Sequence, residues 1–273
     1  MSTLSALYAV SAYKLEHPHA TLDEIIVSLQ RSDSDLSAVN FSGAAALYNA
    51  LDLPAPDEPV RFFRAVLTTW ISHVAPWWLR LFPYGRERVL TALTLDETQC
   101  FRSASLLQDP PATEIYQWWD HLAGLRRAAE NAALAEQGRE AERWSLSYEF
   151  NRLKKLGITA QPRWIAIEDN SAGFDIRSYD VGLAEPITRL IEVKSSTQSP
   201  PRIIISRNEW ETALQFGDRY FFHIWSIQNN TLAILSAFDI EKHIPKDQGI
   251  GRWTEVTIEI SDESLFNKPD TWN

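Results

Sequence analysis

The chain has 273 residues, 45% hydrophobic and 23% charged, with a formal net charge of −10. This is the balance of a soluble globular protein with one large domain or two ordinary ones. The acidic excess counts against tight, non-specific nucleic-acid binding by the whole surface, because phosphate contacts supply most of that affinity; it leaves room for a local basic face. A single cysteine, Cys100, excludes an internal disulfide framework and a cysteine-based zinc site. The first residues, MSTLSALYAVSAYKLEHPHA, have no basic leader ahead of the apolar positions. The most apolar stretch is interrupted by Arg64, His73, Pro76 and Arg80. Both features predict a cytoplasmic chain without a membrane span.

Up to about residue 157 the sequence reads as helix. TLDEIIVSLQ opens with Thr21 as N-cap and Glu24 three positions later, a capping-box pattern. PVRFFRAVLTTWISHV follows, with Pro59 suited to a first turn. Next come the Trp-rich PWWLRLFPYG and a helical piece around DETQCFRSASLL. Between Ala112 and Leu156 there is no proline, and Gly157 suits a helix C-terminus. The segment is one very long helix or two with a kink near Gly124 or Gly138.

After Gly157 the texture changes to short β-branched and aromatic runs: RWIAIED, GFDIRSYD, ITRLIEVKSST, RIIIS, YFFHIWSI, TLAILSA and WTEVTIEI. One helix interrupts them, from the capping-box pair Ser206 and Glu209 to Gly217, and a short one is expected near AFDIEKHI. The predicted class is α+β: a helical domain over 1–130, for recognition or oligomerisation, then a mixed sheet flanked by helices over 131–273.

Chemistry concentrates in RLIEVKSST. Side chains alternate along a strand, so Glu192 and Lys194 share one face and Ile191 and Val193 the other. An edge strand with one wet face would account for such a pair. Upstream, antiparallel pairing of GFDIRSYD with this strand would bring Asp175 beside Glu192. Two carboxylates converging next to a lysine make sense around a hard divalent cation and would otherwise repel. Glu142 and Glu149, seven residues apart on one helix face, are both candidates to reach the same site, and spacing does not choose between them.

With these residues in place, GFDI and IEVKSS resemble the active-site signature of the PD-(D/E)XK, restriction-endonuclease-like superfamily. From residue 138 to about 240 the chain is similar to domains found at the C-terminus of the plant protein NO VEIN and in bacterial restriction and anti-phage proteins. The resemblance implies Asp175 and Glu192 as ligands of Mg2+ or Mn2+, Lys194 as the catalytic lysine and Glu142 as the first-helix glutamate. It assigns Asn208, Glu209 and Trp210 a structural place at the start of the next helix. Phe174 stands where the proline of the superfamily's name would be.

The expected activity is metal-dependent endonucleolytic hydrolysis of DNA in defence against phage or foreign DNA. The alternatives are a catalytically silent binding module and an RNase of the same fold. Lys154, Lys155, Arg202 and Arg207 flank the motifs and are candidate phosphate contacts. A homodimer or a defence-system partner protein is expected. The Trp77–Trp78 and Trp118–Trp119 pairs read as core rather than base-stacking platforms, since adjacent helical side chains point about 100° apart.

Overall fold

A computed structural model describes residues 3–32, 36, 39–169 and 171–269. The chain divides into two compact units, Met1–Asn131 and Ala132–Asn273. It is α+β: helices dominate the first unit, and a mixed sheet flanked by helices forms the second. Among the described residues no helix is long and apolar enough to cross a membrane.

The first unit contains α1 (Thr3–Glu16), α2 (Leu22–Ser32), α3 (Phe41–Ala50), α4 (Pro59–Val74), a 3-10 segment (Trp77–Tyr84), α5 (Arg86–Leu90), α6 (Leu95–Ser103) and the start of α7 (Thr113–Lys155). The expected box at α2 forms, with the Thr21 N–H donating to Glu24 Oε2 at 2.8 Å and the Glu24 N–H to Thr21 Oγ1 at 3.3 Å. Thr94 and Glu97 form another at α6, and Glu97 Oε1 also accepts from Trp78 Nε1 at 2.8 Å. The core is aromatic: Trp78, Phe82, Phe101 and Trp119 are buried and in ring contact. Trp78 is buried while its neighbour Trp77 is 58% exposed, the divergence that helical geometry requires of adjacent residues.

α7 is one continuous helix of 43 residues, not interrupted at Gly124 or Gly138. Ala, Glu, Gln and Arg dominate its middle, and their high helix propensity carries both glycines. It ends in a Schellman motif: the Ile158 N–H donates to Leu153 O and the Gly157 N–H to Lys154 O, at 3.0 and 3.2 Å. Gly157 takes the left-handed φ of +72° that this ending requires.

In the second unit five strands form the order β1-β2-β3-β5-β6: β1 (Arg163–Trp164), β2 (Ile176–Asp180), β3 (Ile187–Ser196), β5 (Tyr220–Ser226) and β6 (Thr231–Ser236). β3 is central, antiparallel to β2 and parallel to β5. β4 (Arg202–Ser206) pairs instead with β7 (Glu255–Glu259) in a separate two-stranded ribbon. α9 (Arg207–Phe216) follows β4, and α10 (Ala237–Glu241) follows β6. The RWIAIED run departs from the strand expected of it. Only Arg163 and Trp164 pair with β2; the N–H groups of Ile165 and Ala166 then both donate to Asp175 O, and the chain turns into α8 (Ile165–Glu168).

The two faces of β3 feed two cores. Leu190 packs with Phe222, Ile224, Trp210 and Ala213, the last two from α9. Ile191 and Val193 pack with Ala141 and Trp225, against α7. Side-chain bonds pin α7 to this face: Gln137 Nε2 donates to Ser195 Oγ at 2.9 Å and Trp225 Nε1 to Ser145 Oγ at 2.8 Å.

An alanine Cβ at Gly138 would meet no atom within 4 Å. Gly138→Ala is therefore expected to raise the unfolding free energy by about 0.5–1 kcal/mol, the helix-propensity difference, as read by urea denaturation. A destabilised variant would mean that Gly138 has a structural duty in α7.

Candidate active site

The β2–β3 register places Ile176 opposite Ile191, so Asp175 falls opposite Glu192 and toward the same face. The Asp175 N–H donates to Ile191 O at 2.9 Å, and its carboxylate Oδ2 accepts from the Val193 N–H at 2.7 Å. The Asp175 side chain is thus fixed against the backbone of the IEVK strand. The loop before it is held from two sides. Tyr220 Oη donates to Gly173 O at 2.7 Å. Gly173, at φ +76°, lies so close to α9 that a Cβ there would fall 2.3 Å from Thr212 Oγ1.

Glu192 and Lys194 share a face as the alternation requires, and they touch: Lys194 Nζ lies 2.8 Å from Glu192 Oε1. It lies equally close, 2.8 Å, to Glu209 Oε2 at the start of α9. Because β3 is central, neither side chain is wet; that of Glu192 is 6% exposed and that of Lys194 16%. The edge-strand explanation of the pair does not apply.

Three carboxylates around one ammonium in a buried setting set the electrostatics. Burial pushes the Asp175 carboxyl up to about 7; the Val193 N–H and Lys194 pull it down, while Glu142 and Glu209 add to the rise. Burial likewise lifts Glu192 well above the usual carboxylate range, with Lys194 opposing and Asp175 and Glu209 reinforcing. For Lys194 burial disfavours the charge, but Glu192 and Glu209 outweigh it and the group stays an ammonium. Glu209 is held below its ordinary value: burial opposes this, and Lys194 and the Ser206 N–H outweigh it. The site therefore holds more acidic groups than its lysine can pair, so Asp175 and Glu192 favour their protonated forms, and a hard cation with oxygen ligands would take the place of those protons.

The two helical glutamates separate. Glu142 is half-buried, accepts a short hydrogen bond from Trp164 Nε1 and acts electrostatically on Asp175. Glu149 is fully buried in another network. It accepts from Arg152 Nε at 2.9 Å and from Ser178 Oγ, and its Oε1 lies 4.0 Å from Arg189 Nε and 3.7 Å from His223 Nε2. Asp180 joins through Arg152 and Arg189. Burial, with Arg189 and Arg152 close by, keeps His223 neutral. Seven helical residues rise about 10.5 Å, close to the roughly 10 Å that three strand residues span from Asp175 to Ser178. Glu142 therefore acts on Asp175, just before β2, and Glu149 meets Ser178 in the middle of that strand.

The expected phosphate contacts are not gathered as free cations. Arg202 is paired with Glu259 at 2.8 Å, and Arg207 with Glu211 and Asp247, both at 2.7 Å. Lys154 and Lys155 are exposed in the last turn of α7, where positive charge suits the helix dipole. Sequence reasoning gave Glu209 only its capping role and gave Tyr220 none. The capping box was the available signal for Glu209, but nothing local places Lys194 beside it.

Residues 141–235 match the family described as Protein NO VEIN, C-terminal. The match takes in Glu142, Asp175, Glu192, Lys194, Glu209 and Tyr220. No curated protein and no solved structure matches the chain.

A carboxyl whose folded pKa is raised contributes stability that is present below its unfolded pKa, near 4, and lost as pH rises through the folded value. Asp175 is expected to remove stability from the metal-free protein between about pH 4 and 7. Asp175→Asn should match wild type near pH 4 and exceed it by a few kcal/mol at pH 8, since each pH unit between the unfolded and folded values is worth about 1.4 kcal/mol. Parallel curves in chelator-containing urea titrations would show Asp175 to be an ordinary carboxylate. A second pair of variants separates the helical glutamates. Glu149→Gln should cost about 3–5 kcal/mol, the penalty for breaking a buried ion pair. Glu142→Gln should cost about 1 kcal/mol, the worth of a single hydrogen bond. Equal losses would place both in one structural network.

Proposed function

We propose that the Ala132–Asn273 unit is a PD-(D/E)XK-type endonuclease domain that hydrolyses DNA phosphodiester bonds with Mg2+ or Mn2+. The observation that carries this reading is the convergence of Asp175, Glu192 and Lys194 at adjoining strand positions, two buried acidic groups with raised pKa beside a fixed ammonium. The donor set fits a hard cation, for which one or two carboxylates suffice when water and substrate phosphate complete the shell. When bound, such an ion supplies Lewis-acid activation of water and neutralisation of phosphate charge.

Asp175 and Glu192 would hold the ion. Lys194 would orient the attacking water and offset negative charge developing on the phosphate. Glu142, acting on Asp175 and anchored by Trp164, would orient water on the α7 side. We infer a cytoplasmic setting in bacterial defence against phage or foreign DNA. The helical unit would recognise DNA, dimerise or bind a partner protein that licenses cleavage. A silent binding module is the second reading. It is favoured by the double hold on Lys194 and by the absence, among the described residues, of three or more acidic, His or Cys side chains grouped to bind a metal.

Purified protein is expected to cleave DNA with Mg2+ and not with chelator. Lys194→Ala should lose at least 100-fold in rate, about 3 kcal/mol, while still binding metal and DNA. RNA cleavage alone would make the protein an RNase. A folded protein that cleaves neither nucleic acid would favour the silent module, and full activity in Lys194→Ala would remove the central residue of the nuclease reading.

A further inference from the structure

We propose that Glu209 is the positioning residue for Lys194, the carboxylate that keeps the ammonium in place when Glu192 is drawn to another partner. The proposal deepens the nuclease reading and rests on it for the catalytic consequence alone. Lys194 Nζ is shared equally, at 2.8 Å, between Glu192 and Glu209. The two holds differ in kind. Glu192 is the proposed metal ligand, so its carboxylate has a competing duty. Glu209 is committed to the lysine side by backbone geometry. Its Oε2 accepts the Ser206 N–H at 2.9 Å, and its own N–H donates to Ser206 Oγ at 3.3 Å. This capping box fixes the carboxylate whether or not the lysine is present.

The helix that carries it is fixed too. Trp210 and Ala213 of α9 are buried in the core under β3. Asn208 Nδ2 donates to Ser171 O at 3.5 Å, and Thr212 packs on Gly173, in the loop that leads to Asp175. One short helix thereby buttresses both halves of the site, the Asp175 loop directly and Lys194 through Glu209. Without Glu209, engagement of Glu192 elsewhere would leave a nearly buried ammonium unpaired. Such a charge carries a heavy desolvation penalty, and the flexible lysine stem would carry it out of the site. The capping boxes at Glu24 and Asp239 close on their own helix starts without a buried lysine, so capping by itself does not account for the contact.

The test separates cap from charge, because glutamine also serves at the third position of a capping box. The first readout needs no activity: the 15N signal of the Lys194 ammonium, which persists at neutral pH when the group is held and vanishes by exchange when it is free. Glu192→Gln, which removes the other partner, should keep the signal. The Glu192→Gln/Glu209→Gln double variant should lose it. Loss of the signal in Glu192→Gln with a native circular-dichroism spectrum would overturn the proposal. Should the double variant fail to fold, the single variant Glu209→Gln decides through kinetics. It should keep a native circular-dichroism spectrum at the assay temperature and its KM for DNA while kcat falls at least 10-fold, and a wild-type kcat would reduce Glu209 to a helix cap. A wild-type protein that cleaves nothing would count against the nuclease reading alone, and the ammonium signal would still decide the role of Glu209.

Discussion

The second unit is organised around one buried ammonium. Lys194 projects from the central strand and is held by a carboxylate from its own strand and another from the helix behind it. A charge this far from water is tolerated only when it is paired and hydrogen-bonded, so the pair demands that β3, β4 and α9 stay in register. The same demand fixes Ser206 and its cap, and through α9 the Gly173 loop that delivers Asp175. Local stability and the geometry of the site are therefore set by the same contacts.

β3 also divides the chemistry of the unit between its faces. On one side, Asp175, Glu192, Lys194 and Glu209 form a cluster with more acidic groups than its one lysine can pair, the property that supports a cation-binding role. On the other, Glu149 is closely matched by Arg152 and Arg189, with Asp180 completing the set. The matched network suits a structural post beneath α7, whereas the unmatched one is poised to take up a further charge. Side-chain alternation along a single strand separates the two.

Much of this was legible locally. The capping boxes at Thr21 and Ser206, the end of α7 at Gly157 and the shared face of Glu192 and Lys194 follow from patterns within a few residues, and the structure reproduces each. The opposition of Asp175 and Glu192 needed one further step, the antiparallel pairing of neighbouring strands across a short connection, and the register agrees. The RWIAIED run was misjudged because its pattern of apolar residues suits a strand, while its pairing partner ends at Ile176. The ribbon of β4 and β7 was not legible, since the two strands lie about fifty residues apart and share no local signal.

The sequence by itself determined the class, most of the elements and which residues carry charge on a buried strand, because periodicity, capping and turn chemistry act over short distances. Only the tertiary structure decided whom those charges meet. Glu142 and Glu149 are equivalent by spacing, and their separation came from how far α7 rises along β2. Arg202 and Arg207 looked free in sequence, but carboxylates distant in the chain pair with both. Glu209 read as a cap until α9 packed across β3 and brought its carboxylate to Lys194. Electrostatic partners are chosen by packing between elements, and no periodicity along one element encodes that choice.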